Sequence, residues 1–314
     1  MRISRYEIES CSAIFNADHS HFIRKTPLLK LTGRALGVDC AEVWLKLEQL
    51  QTGGSFKARG MLNRLLCNPA PAAGVVIASG GNAGIALAAA AQALGVRCEV
   101  FVPEVSSLAK RARLAALGAH VVVAGAAYAD ALEACLARQQ ATGALLAHAY
   151  DQPEVVVGAG TLALEMEAQG GLPDSVLVSV GGGGLIGGVA AWFEQRCKVV
   201  ALEPELAPTL FRAREAGQPV DVAVSGVAAD ALGAKRIGGI AWQITQAHVR
   251  DALLLTDESI SKAQRWLWHE FKLAVEPAAA LPLAALRSGR YQPQADEKVC
   301  LIICGANLDP ASLA

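Results

Sequence analysis

Residues 176–193 read VLVSVGGGGLIGGVAAWF: an apolar run too short for a helix, four consecutive glycines, then an apolar stretch of helical length. Glycine is the residue least restrained in the unfolded chain, so four in a row break any regular element. The stretch reads as a buried strand, a turn and a covered helix, and KVVAL at 198–202 supplies the next strand. The same unit recurs outward from it. VVIA at 75–78 runs through SGGNAG at 79–84 into IALAAAAQALG, 98–102 precedes SSLAKRARLAALGA, 120–124 precedes YADALEACLARQQATG, and VCLIIC at 299–304 ends in GANLD. Strands alternating with helices give an α/β fold with mostly parallel sheets covered on both faces. The segment 49–146 is expected to form a small domain, and 1–48 with 147–314 a large one. Ligands in such sheets bind at the carboxyl ends of the strands.

The composition narrows the function classes. Of 314 residues, 53% are hydrophobic and 18% charged, which excludes a disordered chain. Lys and Arg number 28 against 29 Asp and Glu, so no basic footprint for nucleic acid or an anionic membrane is present. Two uncharged stretches, within 64–97 and at 175–193, have the length of a membrane span. Both are interrupted by glycine clusters and read as strand, loop and helix. The start, MRISRYEIESCSAIF, lacks the apolar core of a secretory signal, which makes the cytoplasm the expected location. The eight cysteines form no C-x-x-C pair and have no histidines at zinc-finger spacing.

Four places could carry chemistry. In GGSFKARG at 53–60, Lys57 opens a helix, where the helix dipole already carries positive charge. A solvated lysine beside a turn is the plain reading. A lysine held in a cleft by Phe56, with its pKa lowered for imine chemistry, is the functional one. Ser79, Gly80, Gly81, Asn82 and Ala83 form a turn whose backbone N–H groups suit a carboxylate, or simply an Asn-capped helix start. Gly181, Gly182, Gly183, Gly184 and Leu185 form a stronger anion cradle. Cys304, at the end of the last strand, could place a weak S–H group near a ligand or be a buried thiol.

The glycine run admits a rival reading. Gly182, Gly184 and Gly187 satisfy G-x-G-x-x-G, and Glu203 closes the next strand about 20 residues on, where a dinucleotide fold holds its ribose. An NAD(P)-dependent oxidoreductase would use this motif but leave Lys57, the SGGNAG turn and Cys304 idle. Pyridoxal phosphate would employ all four.

GGSFKARG, SGGNAG, VGGGGLIGG, VEPAAALPLAAL and CGANLD occur in the order seen in fold-type II pyridoxal-phosphate enzymes, which the chain resembles from KTPLLKL at 25–31 onward. It is most similar to serine/threonine dehydratases, and Cys304 before G-x-N resembles the liver-type serine dehydratases. The resemblance implies a tryptophan synthase β-like fold: two open, twisted, mostly parallel sheets flanked by helices. It also implies elimination of water from a 3-hydroxy amino acid to give a 2-oxo acid and ammonia. Lys57 would carry the cofactor imine and take the α-proton, and Phe56 would lie against the ring. Gly181 to Gly184 and Leu185 would hold the phosphate, and Asn82 the ring hydroxyl. Ser79 and the amides of Gly80, Gly81, Asn82 and Ala83 would hold the substrate carboxylate, while Cys304 would face the pyridine nitrogen.

The resemblance further implies a bound cation at Gly181, Glu203, Ala207, Leu232 and Ala234. Divalent-ion relatives have an acidic residue where this chain has Thr209, so potassium is expected here. A homodimer is usual in the family. Tyr150, Gly80 and Ala159 depart from its common residues, and Gly80 has no side chain with which to return a proton. A β-replacement enzyme of the same fold and a catalytically silent binder are the further alternatives.

Overall fold

The computed structural model describes residues 3–313; residues 1, 2 and 314, the outer ends of the expected large domain, lie outside the described residues. The strands in chain order are β1 (Leu28–Thr32), β2 (Glu42–Lys46), β3 (Val75–Ala78), β4 (Cys98–Val102), β5 (His120–Val123), β6 (Leu145–Leu146), β7 (Ser175–Ser179), β8 (Lys198–Pro204), β9 (Val249–Leu255) and β10 (Lys298–Ile302). They make two sheets. One has the order β1-β2-β10-β7-β8-β9, the other β5-β4-β3-β6. Every pairing between these strands is parallel except β1 with β2. The second sheet lies wholly within 49–146, the segment expected to form the small domain.

Burial follows from the coverage. β3, β4 and β7 are buried at every position, as strands with helices on both faces should be. β10 places Val299 opposite Val43 of β2 and Ser175 of β7, which inserts the end of the chain between its first third and its middle. The sequence reading missed β9, an edge strand of intermediate burial, and the antiparallel β1–β2 pair. The helix after the four glycines, Gly184–Phe193, is closed by Glu194, which takes φ 51°. Among the described residues no helix is long and apolar enough to cross a membrane.

Three helices meet through glycines, and this fixes the site. A Cβ on Gly158, in helix Pro153–Gly170, would stand 2.5 Å from the Arg59 carbonyl of helix Lys57–Cys67. A Cβ on Gly188, in helix Gly184–Phe193, would stand 2.5 Å from the Gly160 nitrogen. Only missing side chains allow backbones this close. The lysine helix and the glycine-loop helix are thus packed against a common partner.

Candidate active site

Lys57 is held by a strap zippered to the end of the last strand. Ser55 bridges Gly305, Phe56 N–H donates to the Cys304 carbonyl (3.1 Å), and Ala306 N–H donates to the Gly54 carbonyl (2.9 Å). Residues about 250 positions apart therefore share one wall. The Lys57 ammonium donates to the Ala149 carbonyl at 2.6 Å and stands 5.1 Å from the Phe56 ring centroid. Burial pushes its amine down to about 8, against a smaller opposing influence of Cys304. A lysine so placed stays mostly protonated near physiological pH but keeps far more neutral amine than a solvated lysine would.

Phe56, Lys57, Asn82, Gly181, Gly182, Gly183, Gly184, Leu185 and Cys304 line one cavity. These are all the residues assigned to the cofactor from sequence. Of the turn assigned to the substrate carboxylate only Asn82 is on that wall; Ser79, Gly80, Gly81 and Ala83 flank it between β3 and the helix Asn82–Ala93. Gly81, not Asn82, is the N-cap of this helix, so the asparagine side chain is not spent on capping. Its Nδ2 stands 3.0 and 2.9 Å from the two carboxylate oxygens of Glu276, so that one N–H shared between them leaves the second free.

The glycine cradle has the geometry of an anion site. Gly183 takes φ +92°, and the first intrahelical bond runs from Gly187 N–H to its carbonyl at 2.8 Å. The N–H groups before Gly187 therefore open at the helix end, where positive potential is greatest. A Cβ on Gly182 would lie 2.3 Å from the Tyr150 ring, and one on Gly183 2.5 Å from the Ala241 side chain. The site also contains Tyr150, Ser179 and Glu276, none of them assigned a role from sequence. Glu276 precedes Pro277 at a helix start and reads in the sequence as an ordinary acid near a helix N-terminus.

Cys304 is buried, and burial, followed by the nearby Glu276 charge, pushes its thiol well above the ordinary range. It is a neutral S–H group. Glu203 does not meet the dinucleotide reading. Its carboxylate accepts from Leu210 N–H and Phe211 N–H, both at 2.7 Å, and from the Thr209 hydroxyl at 3.0 Å, and it has no solvent exposure. A carboxylate buried at the start of helix Thr209–Ala216 and absent from the cavity wall does not face a ribose there. Four of the five expected cation positions, Gly181, Glu203, Ala207 and Leu232, are nevertheless drawn together. The Thr209 hydroxyl is 2.7 Å from the Gly181 carbonyl, Thr209 N–H donates to the Ala207 carbonyl at 3.2 Å, and a Cβ on Gly181 would stand 2.9 Å from Leu232 Cα. Ala234 lies two residues past the short helix Ala229–Leu232.

Comparison with known proteins agrees with this geometry. The family model described as pyridoxal-phosphate dependent enzyme matches residues 19–305. An L-threonine ammonia-lyase of Geobacter sulfurreducens is 35% identical over 279 residues, covering 87% of this chain and 69% of that protein. A phenylserine dehydratase of Ralstonia pickettii is 33% identical over 310 residues, covering 97% and 94%. The crystal structure of a threonine deaminase from T.th. superposes with a TM-score of 0.87 at 34% identity, covering 98% of this chain and 99% of that one. The open glycine cradle opposite a desolvated lysine is what such a cofactor requires, and the oxidoreductase alternative falls with it. The chain belongs to the pyridoxal-phosphate dependent enzymes of fold type II, in the branch that holds the threonine and serine dehydratases.

Proposed function

We propose that this chain is a dehydratase and ammonia-lyase that converts a 3-hydroxy amino acid of the L-serine or L-threonine type to a 2-oxo acid and ammonia. The observation that carries the reading is the desolvated Lys57 amine, which shares a cavity with the glycine cradle and the neutral Cys304 thiol. Bound pyridoxal phosphate supplies an electron sink for the bond broken at the α-carbon. The N–H groups of Gly181 to Gly184 and Leu185 hold its phosphate, and an Asn82 N–H reaches its ring hydroxyl. Lys57 anchors the group and takes the α-proton, a role that a lowered amine pKa suits. Ser79 and the amides of Gly80, Gly81, Asn82 and Ala83 hold the substrate carboxylate.

Cys304 decides between reaction outcomes. A thiol kept protonated supplies no fixed negative charge at the pyridine nitrogen, which weakens the electron sink. Prompt loss of a β-hydroxyl is then favoured over a long-lived carbanion. Gly80 reinforces this, having no side chain that could return a proton to the opposite face. The relative that acts on phenylserine by name spans nearly this whole chain, so bulkier 3-hydroxy amino acids belong beside serine and threonine in an assay. Purified protein with added cofactor should release 2-oxo acid and ammonia in equal amounts from at least one of the three. Chiral chromatography of residual L-serine should show D-serine only as a small fraction of pyruvate. No turnover of any of them, or D-serine matching pyruvate, contradicts the reading.

The same reading puts potassium beside the phosphate loop. Burial raises the Glu203 carboxyl to about 7 against its hydrogen bonds, and no basic side chain is among its hydrogen-bond partners. Carbonyls of Gly181 and Ala207 stand by the same Thr209. One carboxylate among neutral oxygens suits a large monovalent ion better than magnesium, which demands a tight octahedron. Among the described residues no cluster of three or more His, Cys, Asp or Glu is arranged for a metal. Dialysis into tetramethylammonium should lower both activity and melting temperature, and potassium should restore both. Full activity without potassium and ammonium, or restoration by a divalent ion alone, contradicts it.

A further inference from the structure

Three side chains from distant parts of the chain close a ring of hydrogen bonds on the cavity wall. Asn82 Nδ2 donates to Glu276, Asn307 Nδ2 donates to Asn82 Oδ1, and Asn307 N–H donates to Glu276 Oε1 at 2.6 Å. Asn307 Nδ2 also donates to the Gly53 carbonyl at 2.8 Å, which fixes which way its amide faces. Asn82 belongs to the small sheet's helix, whereas Glu276 and Asn307 come from segments on either side of β10.

Satisfiability makes the ring directional. An amide offers two N–H donors on one side and an acceptor on the other. Flipping Asn82 would set its oxygen against the Glu276 carboxylate and its NH2 against that of Asn307. Both contacts are repulsive, so Glu276 holds Asn82 with its nitrogen toward the carboxylate. Glu276 is itself 5% exposed, and a Cβ on Gly305, the residue after Cys304, would stand 3.0 Å from its Oε2. A buried carboxylate is costly unless hydrogen-bonded, and these bonds are what retain it.

We infer that Glu276 is a positioning residue: it fixes the amide of Asn82 so that an N–H faces the cofactor ring, and it ties that contact to the closure of the small sheet on the large one. The inference rests on the reading that Asn82 meets the ring hydroxyl. It assigns Glu276 no contact with substrate. Asn307 completes the ring and sets the position of both partners.

A double-mutant cycle tests this. Glu276→Gln keeps the shape but turns one end of the side chain from acceptor to donor, so one bond of the ring is lost. Asn82→Ala removes the positioned group. Each single change should lower kcat by about 10- to 100-fold, the size expected for a hydrogen bond to a charged group. Each should also alter the visible absorption of the bound cofactor. The double variant should be no worse than Asn82→Ala alone, because Glu276 acts through Asn82.

The pair Asn82→Asp with Glu276→Gln separates positioning from simple stability. The Gln amide can donate to the Asp carboxylate, and the Asp can accept from Asn307, so the ring closes with one bond reversed. Apoprotein melting temperature should return toward wild type, while kcat and the cofactor spectrum should not. Additive losses in the cycle, or recovery of kcat and spectrum along with stability in the reversed pair, would overturn the inference. An unchanged spectrum and kcat in Glu276→Gln would do the same. Wild-type turnover is measured alongside, so a failure of the dehydratase reading is seen separately from a failure of this one.

Discussion

Lys57→Ala should keep the fold and lose elimination by about a thousand-fold or more, the scale of a positioned acid–base group. The single hydrogen bond of the amine goes to the Ala149 carbonyl at the cavity edge, so its removal leaves no buried charge unpaired. Far-ultraviolet circular dichroism and melting temperature of the apoprotein should stay close to wild type. Lys46, the other lysine in the interior, cannot substitute. Its ammonium is bound to Glu165 at 2.6 Å, to the Thr26 carbonyl and to Gln169. Steady-state release of 2-oxo acid by the variant at more than a trace of the wild-type rate would refute the assignment.

Arg59→Ala should instead unfold the protein at a markedly lower temperature. Two residues beyond Lys57, the guanidinium grips Glu48 through two bonds of 2.8 and 2.7 Å and reaches Glu165 at 3.0 Å. Arg59 and Glu48 have at most 1% exposed side chain and Glu165 has 14%. Burial alone would raise the Glu48 carboxyl; the charge and hydrogen bonds of Arg59, with Lys46 and Thr26, outweigh it and hold the group below its usual range. Stability from this carboxylate is therefore full above the ordinary carboxylate pKa and is lost as pH falls through the depressed value. Removing one member of a buried ion pair strands the others, at about 3–5 kcal/mol. A fall in melting temperature on the order of 10 °C follows for a chain of this size. Arg59→Lys, which keeps the charge without the two-pronged grip, should lose less. An Arg59→Ala variant melting within a degree or two of wild type would show that the network contributes little.

The two readings of the glycine run show how far sequence reasoning reaches. The turn between β7 and its helix is local, written in adjacent residues, and its phosphate-cradle form is visible without a structure. G-x-G-x-x-G with a distant acid is equally local, and the wrong alternative survives until Glu203 is seen buried and capping Thr209–Ala216. Lys57 and Cys304 are legible individually. The zipper that brings them to one wall depends on β10 entering between β2 and β7. Glu276 is the clearest omission. It lies inside the motif VEPAAALPLAAL, but nothing in that stretch assigns the acid a role, and its partner Asn82 is 194 residues away. The edge strand β9 escapes for a different reason: its apolar run at 252–255 follows the charged Arg250 and Asp251 directly after a helix, and so short a run does not by itself distinguish strand from helix.

The central claim is that Lys57 carries pyridoxal phosphate in a cavity built for elimination, and chemical trapping addresses it directly. Reduction of the purified, cofactor-loaded protein with borohydride, followed by proteolysis and mass spectrometry, should bleach the visible band and leave the pyridoxyl group on the peptide containing Lys57. Label on any other lysine, or an intact band with no labelled peptide, would contradict the account.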